Sequence, residues 1–281
     1  MILGLYALSY LLMLGMPIAL GVWVARRRGA GWALFGMGAL TFVASQVLHI
    51  PFNWLILQRW QLLPTDTAVT LNLVLLAAFL GLSAGVFEEG ARYLTYRWWA
   101  KEARTWGRGL MLGAGHGSVE SILLGLLAAL NVGALAFMRG GLLLEMVPAE
   151  QIPLLEQAFT AVFDAPWYMA LFPAAERLFA ICAHLALSLL VMQSFVRGQL
   201  RWVGMAVLWH AAFNFVAVFA VVRWGAVVAE GLLGVAALLS VGLIVALRTP
   251  DPPAPAPLPV AEPASRPLKT TGEMLDRSRY L

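Results

Sequence analysis

The sequence predicts an all-α fold, a polytopic membrane bundle of about seven transmembrane helices. Hydrophobic residues make up 61% of its 281 residues and charged residues only 12%, whereas a soluble domain is about a quarter charged. Apolar runs long enough to cross a bilayer recur along the chain. Lysine and arginine alternate between dense and sparse connections. We therefore expect a membrane protein whose main surroundings are the lipid bilayer.

The apolar runs define the elements in order. Residues 2–25 form the first run, which is too long for a signal-peptide core and ends at three arginines, so we expect a retained span. Six further runs of about 20 residues or more are predicted to span. They cover residues 31–57, 69–96, 109–137, 166–196, 202–222 and 225–247. This transmembrane domain is assigned to residues 1–248, and the proline-rich segment 249–281 predicts a disordered cytoplasmic tail.

The charged residues in the connections predict the orientation. One alternate set of connections is rich in positive charge, with Arg26, Arg27, Arg28, Arg97, Lys101, Arg104, Arg108, Arg197, Arg201 and Arg248. The other set contains only Arg59, Arg139 and Arg223. Positive residues accumulate on the cytoplasmic side. We therefore predict a multi-pass protein of the cell membrane with its amino terminus outside and its carboxyl terminus in the cytoplasm.

Two classes of function find no support in the sequence. It has no phosphate-binding glycine loop and no basic, aromatic face suited to nucleic acid, so no nucleic-acid partner is expected. The single cysteine, Cys182, cannot form a disulfide framework. Function is therefore sought among the polar residues within the spans.

Ionisable residues are numerous inside the predicted spans. Each costs about 2.5–3.5 kcal/mol at a helix centre unless it is paired or faces water. They are Glu88, Glu89, Arg92, His116, Glu120, Glu176, Arg177, His184 and His210. Five of them, on four different helices, lie roughly 12 to 20 Å from the nearest basic connection, at 1.5 Å per residue: Glu89, His116, Glu120, His184 and His210. One shared cavity in the cytoplasmic half is the simplest explanation.

The spacing of these residues indicates a catalytic pocket. Residues four apart share a helical face. His116 and Glu120 of "HGSVE" therefore lie on one face, and so do His210 and Asn214 of "HAAFN". In "EEGAR" (88–92) the arginine lies one turn from both glutamates. Carboxylates and imidazoles are ligands that zinc accepts, and a bound divalent ion lowers the pKa of a water towards 7. One glutamate could take a proton from water while the arginine holds the other.

At these residues the sequence resembles the YhfC-type intramembrane metalloproteases, relatives of the type II CAAX-prenyl endopeptidases and of PrsW. Those relatives share a Glu-Glu motif followed by Arg or Lys, a motif ending in His or Glu, another ending in His, and a final His-x-x-x-Asn or Asp. Here "EEGAR", "HGSVE", "ERLFAICAH" and "HAAFN" follow in that order between residues 69 and 222. The arginine is one residue nearer than in the CAAX endopeptidases, and His116 stands where relatives tend to have Phe.

The resemblance implies an intramembrane metallo-endopeptidase. It would hydrolyse peptide bonds of a membrane-embedded or membrane-adjacent protein or peptide near the cytoplasmic side. The catalytic residues it implies are Glu88 as general base, with Glu89, Arg92 and Asn214. The implied ligands of a divalent metal, expected to be Zn²⁺, are Glu120, His184 and His210, with His116 as a fourth candidate.

Alternative functions and structural interpretations stay open at this point. Intramembrane Glu and His also suit an ion- or proton-coupled transporter, and a non-catalytic scaffold could retain the same residues. Glu88 and Glu89 could instead form a buried charge cluster that fixes helix packing. A helix contact is the expected role of His49, and Glu176 with Arg177 is expected to be a structural pair near the outer face.

Overall fold

The computed structural model describes residues 1–141 and 147–249. Within these ranges the chain forms eight α-helices and no strand. The helices are α1 (Ile2–Arg28), α2 (Trp32–Trp54), α3 (Thr70–Trp98), α4 (Trp106–Arg139), α5 (Ile152–Phe163), α6 (Phe172–Val196), α7 (Arg201–Trp224) and α8 (Ala226–Ala246). All except α5 are long and apolar enough to cross a membrane, which confirms the predicted fold class and its seven spans.

Several helix boundaries differ slightly from the predicted runs. A π-helical turn extends α2 from Leu55 to Arg59, and a 3₁₀ turn, Trp167–Leu171, precedes α6. The short helix α5 has no buried residue. Of the predicted proline-rich tail, residues 250–281 lie outside the described residues.

The order of the spans brings the basic connections to one end of the bundle. Helices α1, α3, α6 and α8 end where α2, α4 and α7 begin, because residues from all these helix ends pack into one core. We call this the basic end, because it includes the arginines at positions 26–28, the connections 99–105 and 197–200, and Arg248. The other end, with the connection 60–69 and residues 147–166, is called the opposite end.

Helix α6 is the central element of the bundle. In its most apolar window 72% of the residues are buried, against 17–33% in the other spans. It packs against α1, α4, α7 and α8, and more lightly against α3. The polar side chains in the middle of α6, such as His184 and Ser188, therefore face protein rather than lipid.

Small residues allow the helices that carry the sequence motifs to approach closely. A Cβ atom at Gly81 or Gly85 of α3 would lie 2.4 or 2.7 Å from a backbone oxygen of α7. Small residues at such crossings are the usual means of tight packing between membrane helices. Gly81, Gly85 and Glu89 are spaced four apart, so the same face of α3 that contacts α7 also directs Glu89 towards it.

The largest hydrophobic core lies at the basic end. It joins residues of α1, α3, α4, α6 and α7 with the connections between them. Tyr96, Met111, Leu112 and Leu189 are each completely buried within it. Two smaller cores lie elsewhere, one joining α1, α4 and α6 and the other joining α6, α7 and α8. The polar residues of the motifs occupy the space between these three cores.

Candidate metal centre

Four helices contribute the polar residues that meet in the middle of the bundle. Helix α3 supplies Glu88, Glu89 and Arg92, α4 supplies His116 and Glu120, α6 supplies His184, and α7 supplies His210. The ring centroids of His116 and His184 are 4.9 Å apart, and those of His184 and His210 are 5.5 Å apart. The single cavity expected from the depth of these residues is thus present as one side-chain cluster.

Glu89 is the carboxylate that Arg92 holds. The two side chains form an ion pair in which neither is exposed to solvent. The other oxygen of Glu89, Oε1, lies 2.8 Å from Nδ1 of His210. Because an ionised carboxylate only accepts hydrogen bonds, this contact makes Nδ1 the protonated nitrogen of His210 and leaves its Nε2 as a lone pair. Glu89 thereby fixes the orientation of this imidazole.

Glu88 has no arginine partner among the described residues. Its Oε1 accepts a hydrogen bond from the amide of Gln46 at 3.1 Å. Its Oε2 lies 3.0 Å from Nε2 of His116 and 3.9 Å from Nε2 of His210. A carboxylate with this environment, an amide on one oxygen and two imidazoles near the other, retains the capacity to accept a proton.

His184 and Glu120 form a second carboxylate–imidazole pair. Oε2 of Glu120 lies 2.6 Å from Nε2 of His184, and its Oε1 accepts a hydrogen bond from Arg177 at 2.7 Å. On the other side of the ring, Nη2 of Arg92 donates to Nδ1 of His184 at 3.3 Å. Arg177 also pairs with Glu176. The pair that the sequence placed apart, Glu176 and Arg177, is therefore joined to the cluster through Glu120.

The cluster fits a divalent metal by the chemistry and spacing of its donors. One ligand atom from each of Glu88, His116 and His184 lies within 4.8 Å of the others. This group shares His116 and His184 with the predicted ligands, but it contains Glu88, the predicted base, in place of Glu120 and His210. Imidazole nitrogen and carboxylate oxygen are ligands of zinc at about 2.0–2.2 Å. Glu88, Glu89 and the half-buried Glu120 also face two guanidinium groups, one of which is shared with Glu176, so the carboxylates exceed the guanidinium groups and favour a bound cation.

Asn214 lies on the wall of a narrow cleft beside the cluster. The cleft has a volume of about 60 Å³ and is lined by α3, α4, α6 and α7 residues that include Glu88, Glu120, His184 and His210. The side chain of Asn214 makes no hydrogen bond to His210 or to another described residue. Its amide is therefore available to a molecule in the cleft. Asn214 thus shares a helix face with His210 without contacting its ring.

Helix α2 also contributes to the cluster, although none of the sequence motifs lies on it. Gln46 of this helix donates to Glu88 and lies 3.2 Å from Nδ1 of His49. His49 in turn contacts Ser83 of α3 at 3.1 Å and Asn53 at 3.0 Å, a helix contact of the kind predicted for it. Polar residues at 46, 49 and 53 recur on one face of an otherwise apolar span, and that recurrence was the available signal.

Comparison with known proteins gives a family. Residues 12–233 match the model of the YhfC intramembrane metalloprotease family. The chain belongs to this family. A curated relative of this YhfC-family chain, the uncharacterized membrane protein YhfC of Bacillus subtilis (strain 168), is 34% identical over 220 residues, which are 75% of this chain and 82% of the relative. No solved structure matches this chain.

The family match covers every helix that contributes to the cluster. The matched range begins within α1 and ends within α8, so it includes all four motifs as well as Gln46. The family's description names an intramembrane metalloprotease, and the relative is described only as a membrane protein. Kinship of this YhfC-family chain with the CAAX endopeptidases and PrsW stays an expectation from the motifs.

Proposed function

We propose that this protein is an intramembrane metallo-endopeptidase in which Glu88 activates a water for attack on a peptide bond. The observation that carries the proposal is the contrast among the carboxylates of the cluster. Glu89, Glu120 and Glu176 each pair with an arginine, whereas Glu88 meets an amide and two imidazoles. A general base must be free to take up a proton, and Glu88 is the carboxylate whose contacts permit it.

The metal ligands we propose are His116, His184, His210 and Glu120. Metal ligands must be deprotonated, and binding of the ion releases their protons. Oε2 of Glu120 and Nε2 of His184 lie 2.6 Å apart, at hydrogen-bond distance. A metal ion bound by both residues would replace the proton of that bond. A zinc-type ion would supply Lewis acidity and would lower the pKa of a bound water towards 7. The family description supports a metal without naming which one.

Glu88 is positioned for its task by residues on three helices. The amide of Gln46 holds Oε1 from α2, while Oε2 faces the imidazoles of His116 and His210. A water that lies among these imidazoles is within reach of Oε2, which accepts its proton as the water attacks the substrate carbonyl. The same carboxyl group can then donate that proton to the departing amine, as general acid–base catalysis requires.

Glu89 and Arg92 act through His210 and His184. Glu89 fixes the Nδ1–H tautomer of His210, so the Nε2 lone pair faces the cluster. Carboxylates that hold a ligand histidine in this way raise its basicity and fix its ring, and their loss costs 10- to 100-fold in metal affinity or activity. Arg92 neutralises Glu89 and contacts His184, so it stabilises the buried negative charge of the site.

Asn214 is our candidate for stabilising the oxyanion. Its amide is on the wall of the cleft that His210 also lines, and it makes no hydrogen bond within residues 1–141 and 147–249. An amide donor aimed at the developing oxyanion is worth about 10²–10³-fold in rate in other hydrolases. Its position on the cleft wall, rather than against the ring of His210, supports this role over that of orienting the imidazole.

The proposal is tested by Glu88→Gln, which preserves the shape of the side chain and removes the base. Membranes from cells that lack the protein, or that express the wild type or a variant, are compared for new peptide termini by mass spectrometry. We expect new termini with the wild type and a loss of about 10²–10⁴-fold in their rate of formation with Glu88→Gln. Glu102→Gln, on an exposed connection, is the matched control and should behave as the wild type.

A second measurement on the same samples separates catalysis from folding. The variant should elute from gel filtration as the wild type does, and its thermal unfolding in detergent should be unchanged. New termini that form equally with wild type and Glu88→Gln would refute the catalytic role of Glu88.

A further inference from the structure

Solvent exposure of the polar side chains increases in one direction through the bundle. Glu89 is fully buried, and His184, His210 and Glu88 are 5–8% exposed. Exposure then rises to 18% at Glu120 and 40% at Glu176. The gradient leads from the centre of the cluster towards the start of α6.

The walls of the cleft lead in the same direction. Glu120 lies beyond His116 along α4, Arg177 and Ala180 precede His184 on α6, and Ala217 follows His210 on α7. Because these helices run alternately up and down, each displacement is away from the basic end. The cleft therefore extends from the histidines towards the opposite end of the bundle.

The interior of the bundle offers no polar path at the basic end. A wider groove of about 350 Å³ lies between α2 and α3 and reaches Trp98 and Trp99, but its lining is mainly apolar and includes no residue of the cluster. Between the histidines and the basic connections the core is filled by Tyr96, Met111, Leu112, Leu189 and Leu190, each at most 2% exposed. Nearer the surface, the indole of Trp106 donates to the backbone oxygen of Ile244 at 2.9 Å, and the guanidinium groups of Arg28 and Arg248 lie over its ring. These contacts close that end.

The polar side chains at the mouth of the cleft indicate water rather than lipid. A charged side chain facing hydrocarbon is costly, and Glu176, the most exposed member, is paired only with Arg177. Glu230 of α8 interacts electrostatically with both residues. Glu120 and Glu176 share the single guanidinium of Arg177, and their excess negative charge favours a mouth that water can reach.

We propose that water and the scissile segment of the substrate reach Glu88 through this cleft, from the end of the bundle opposite to the basic connections. The distribution of lysine and arginine assigns that end to the outside of the cell. The substrate is then a polypeptide whose cleaved segment is exposed on, or enters the membrane from, the outer face. Passage of substrate rests on the proposed peptidase function, whereas passage of water does not.

This route differs from the expectation drawn from residue depth. The histidines were placed in the half of the membrane nearer to the basic connections, and hydrolysis was accordingly expected near the cytoplasmic side. The depth of a site in the membrane does not determine the side from which the site is reached. In this bundle the core that fills the nearer half directs access through the farther one.

The route is tested by thiol accessibility along α7. In a Cys182→Ser background, Ala217→Cys places a thiol on the cleft wall two turns after His210, and Ala206→Cys places one in the closed core one turn before it. Both variants replace an alanine with cysteine, and both positions lie on α7. Sealed vesicles of either orientation are treated with a small, impermeant, cationic methanethiosulfonate, and the remaining thiols are counted after denaturation.

Two exposed positions report the side that the reagent has reached. Gln157→Cys on α5 marks the opposite end and Glu102→Cys marks the basic end. We expect Ala217→Cys to react only in vesicles whose Gln157→Cys control reacts. It should react at least about tenfold faster than Ala206→Cys, because a thiol in a dry apolar core is inert until the core opens.

Three results would overturn the route. They are reaction of Ala217→Cys only from the Glu102 side, faster reaction of Ala206→Cys than of Ala217→Cys, and no reaction of Ala217→Cys where the Gln157→Cys control reacts. None of these measurements depends on peptidase activity. Failure of the route and failure of the proposed function are therefore distinguishable.

Discussion

The two ends of the bundle are built from the same kind of apolar helix but differ in how side chains pack between the helices. At the basic end, large side chains such as Tyr96, Met111 and Leu189 are completely buried in the core that joins α3, α4 and α6. Towards the opposite end, the same helices present Ala180, Ala183 and Ala217 to a cleft that also contains carboxylates. The difference indicates that side-chain size between the helices, and not the apolar character of the spans, decides where a polar cleft can form.

Glu89 lies at the boundary between the two regions, and its loss should have the largest effect. Glu89→Gln removes the carboxylate that neutralises the buried Arg92. Removing one partner of a buried ion pair typically costs about 3–5 kcal/mol. We expect this decrease in the free energy of unfolding, measured by denaturant titration in detergent micelles.

Glu102→Gln is the control for that substitution, because an exposed glutamate contributes about 0–1 kcal/mol. Equal stability of Glu89→Gln and Glu102→Gln would show that Arg92 is not buried against Glu89. The boundary between the closed core and the polar cluster would then be wrongly placed.

Within the closed region, the crossing of α2 and α4 should tolerate no added atom at Gly38. A Cβ atom there would lie 2.0 Å from the backbone oxygen of Leu112. Gly38→Ala must separate the two helices, and overpacking of this kind costs about 1–3 kcal/mol. Thermal unfolding in detergent measures the loss.

Gly36→Ala provides the comparison two residues away on the same helix. No atom lies within 4 Å of a Cβ built there, so alanine should be neutral or should stabilise by up to about 1 kcal/mol through its higher helix propensity. If both variants unfold at the same temperature, the crossing is looser than described.

The smallest effect is expected at a hydrogen bond inside the closed core. The hydroxyl of Tyr96 lies 2.9 Å from that of Ser188, which donates to the backbone oxygen of Gly109 at 2.8 Å. Tyr96→Phe should cost about 0.5–1.5 kcal/mol, the usual net value of one hydrogen bond. Tyr168→Phe, at a side chain that is 39% exposed, should cost nothing measurable under the same conditions.

Sequence reasoning recovered the fold and the meeting of the motif residues because both depend on features that are local to one helix. Spanning length and apolar content define each transmembrane helix. The cost of charge in a membrane then requires that buried charges converge. Glu120, His184 and His210 line one cleft as expected for this reason, whereas His116 contacts the cluster without lining the cleft.

Contacts between helices were beyond that reasoning. Glu88 and Glu89 are both about one turn from Arg92, so spacing could not decide which of them the arginine holds. The decision comes from rotation of α3, where Gly81 and Gly85 turn the face of Glu89 towards α7. Rotation is set by packing partners that a single sequence does not show.

Two further contacts were missed for the same reason. Gln46 belongs to a helix without a motif, and only its neighbour across the helix interface, Glu88, reveals its role. Arg177 was assigned to Glu176 beside it in sequence, whereas the structure adds Glu120 from α4 as a second partner. Measuring distance along one helix underestimates how far an arginine side chain reaches.

The central claim, that the histidine cluster holds a catalytic metal, is tested most directly by the metal content of the purified protein. Wild type prepared without chelator should contain about one equivalent of a zinc-type ion per chain, as expected of a single site. His184→Ala should lose it, whereas His49→Ala, at the histidine that lies outside the ligand set, should retain it. Metal-free wild type that also fails to bind added zinc, or His184→Ala with full metal content, would contradict the account.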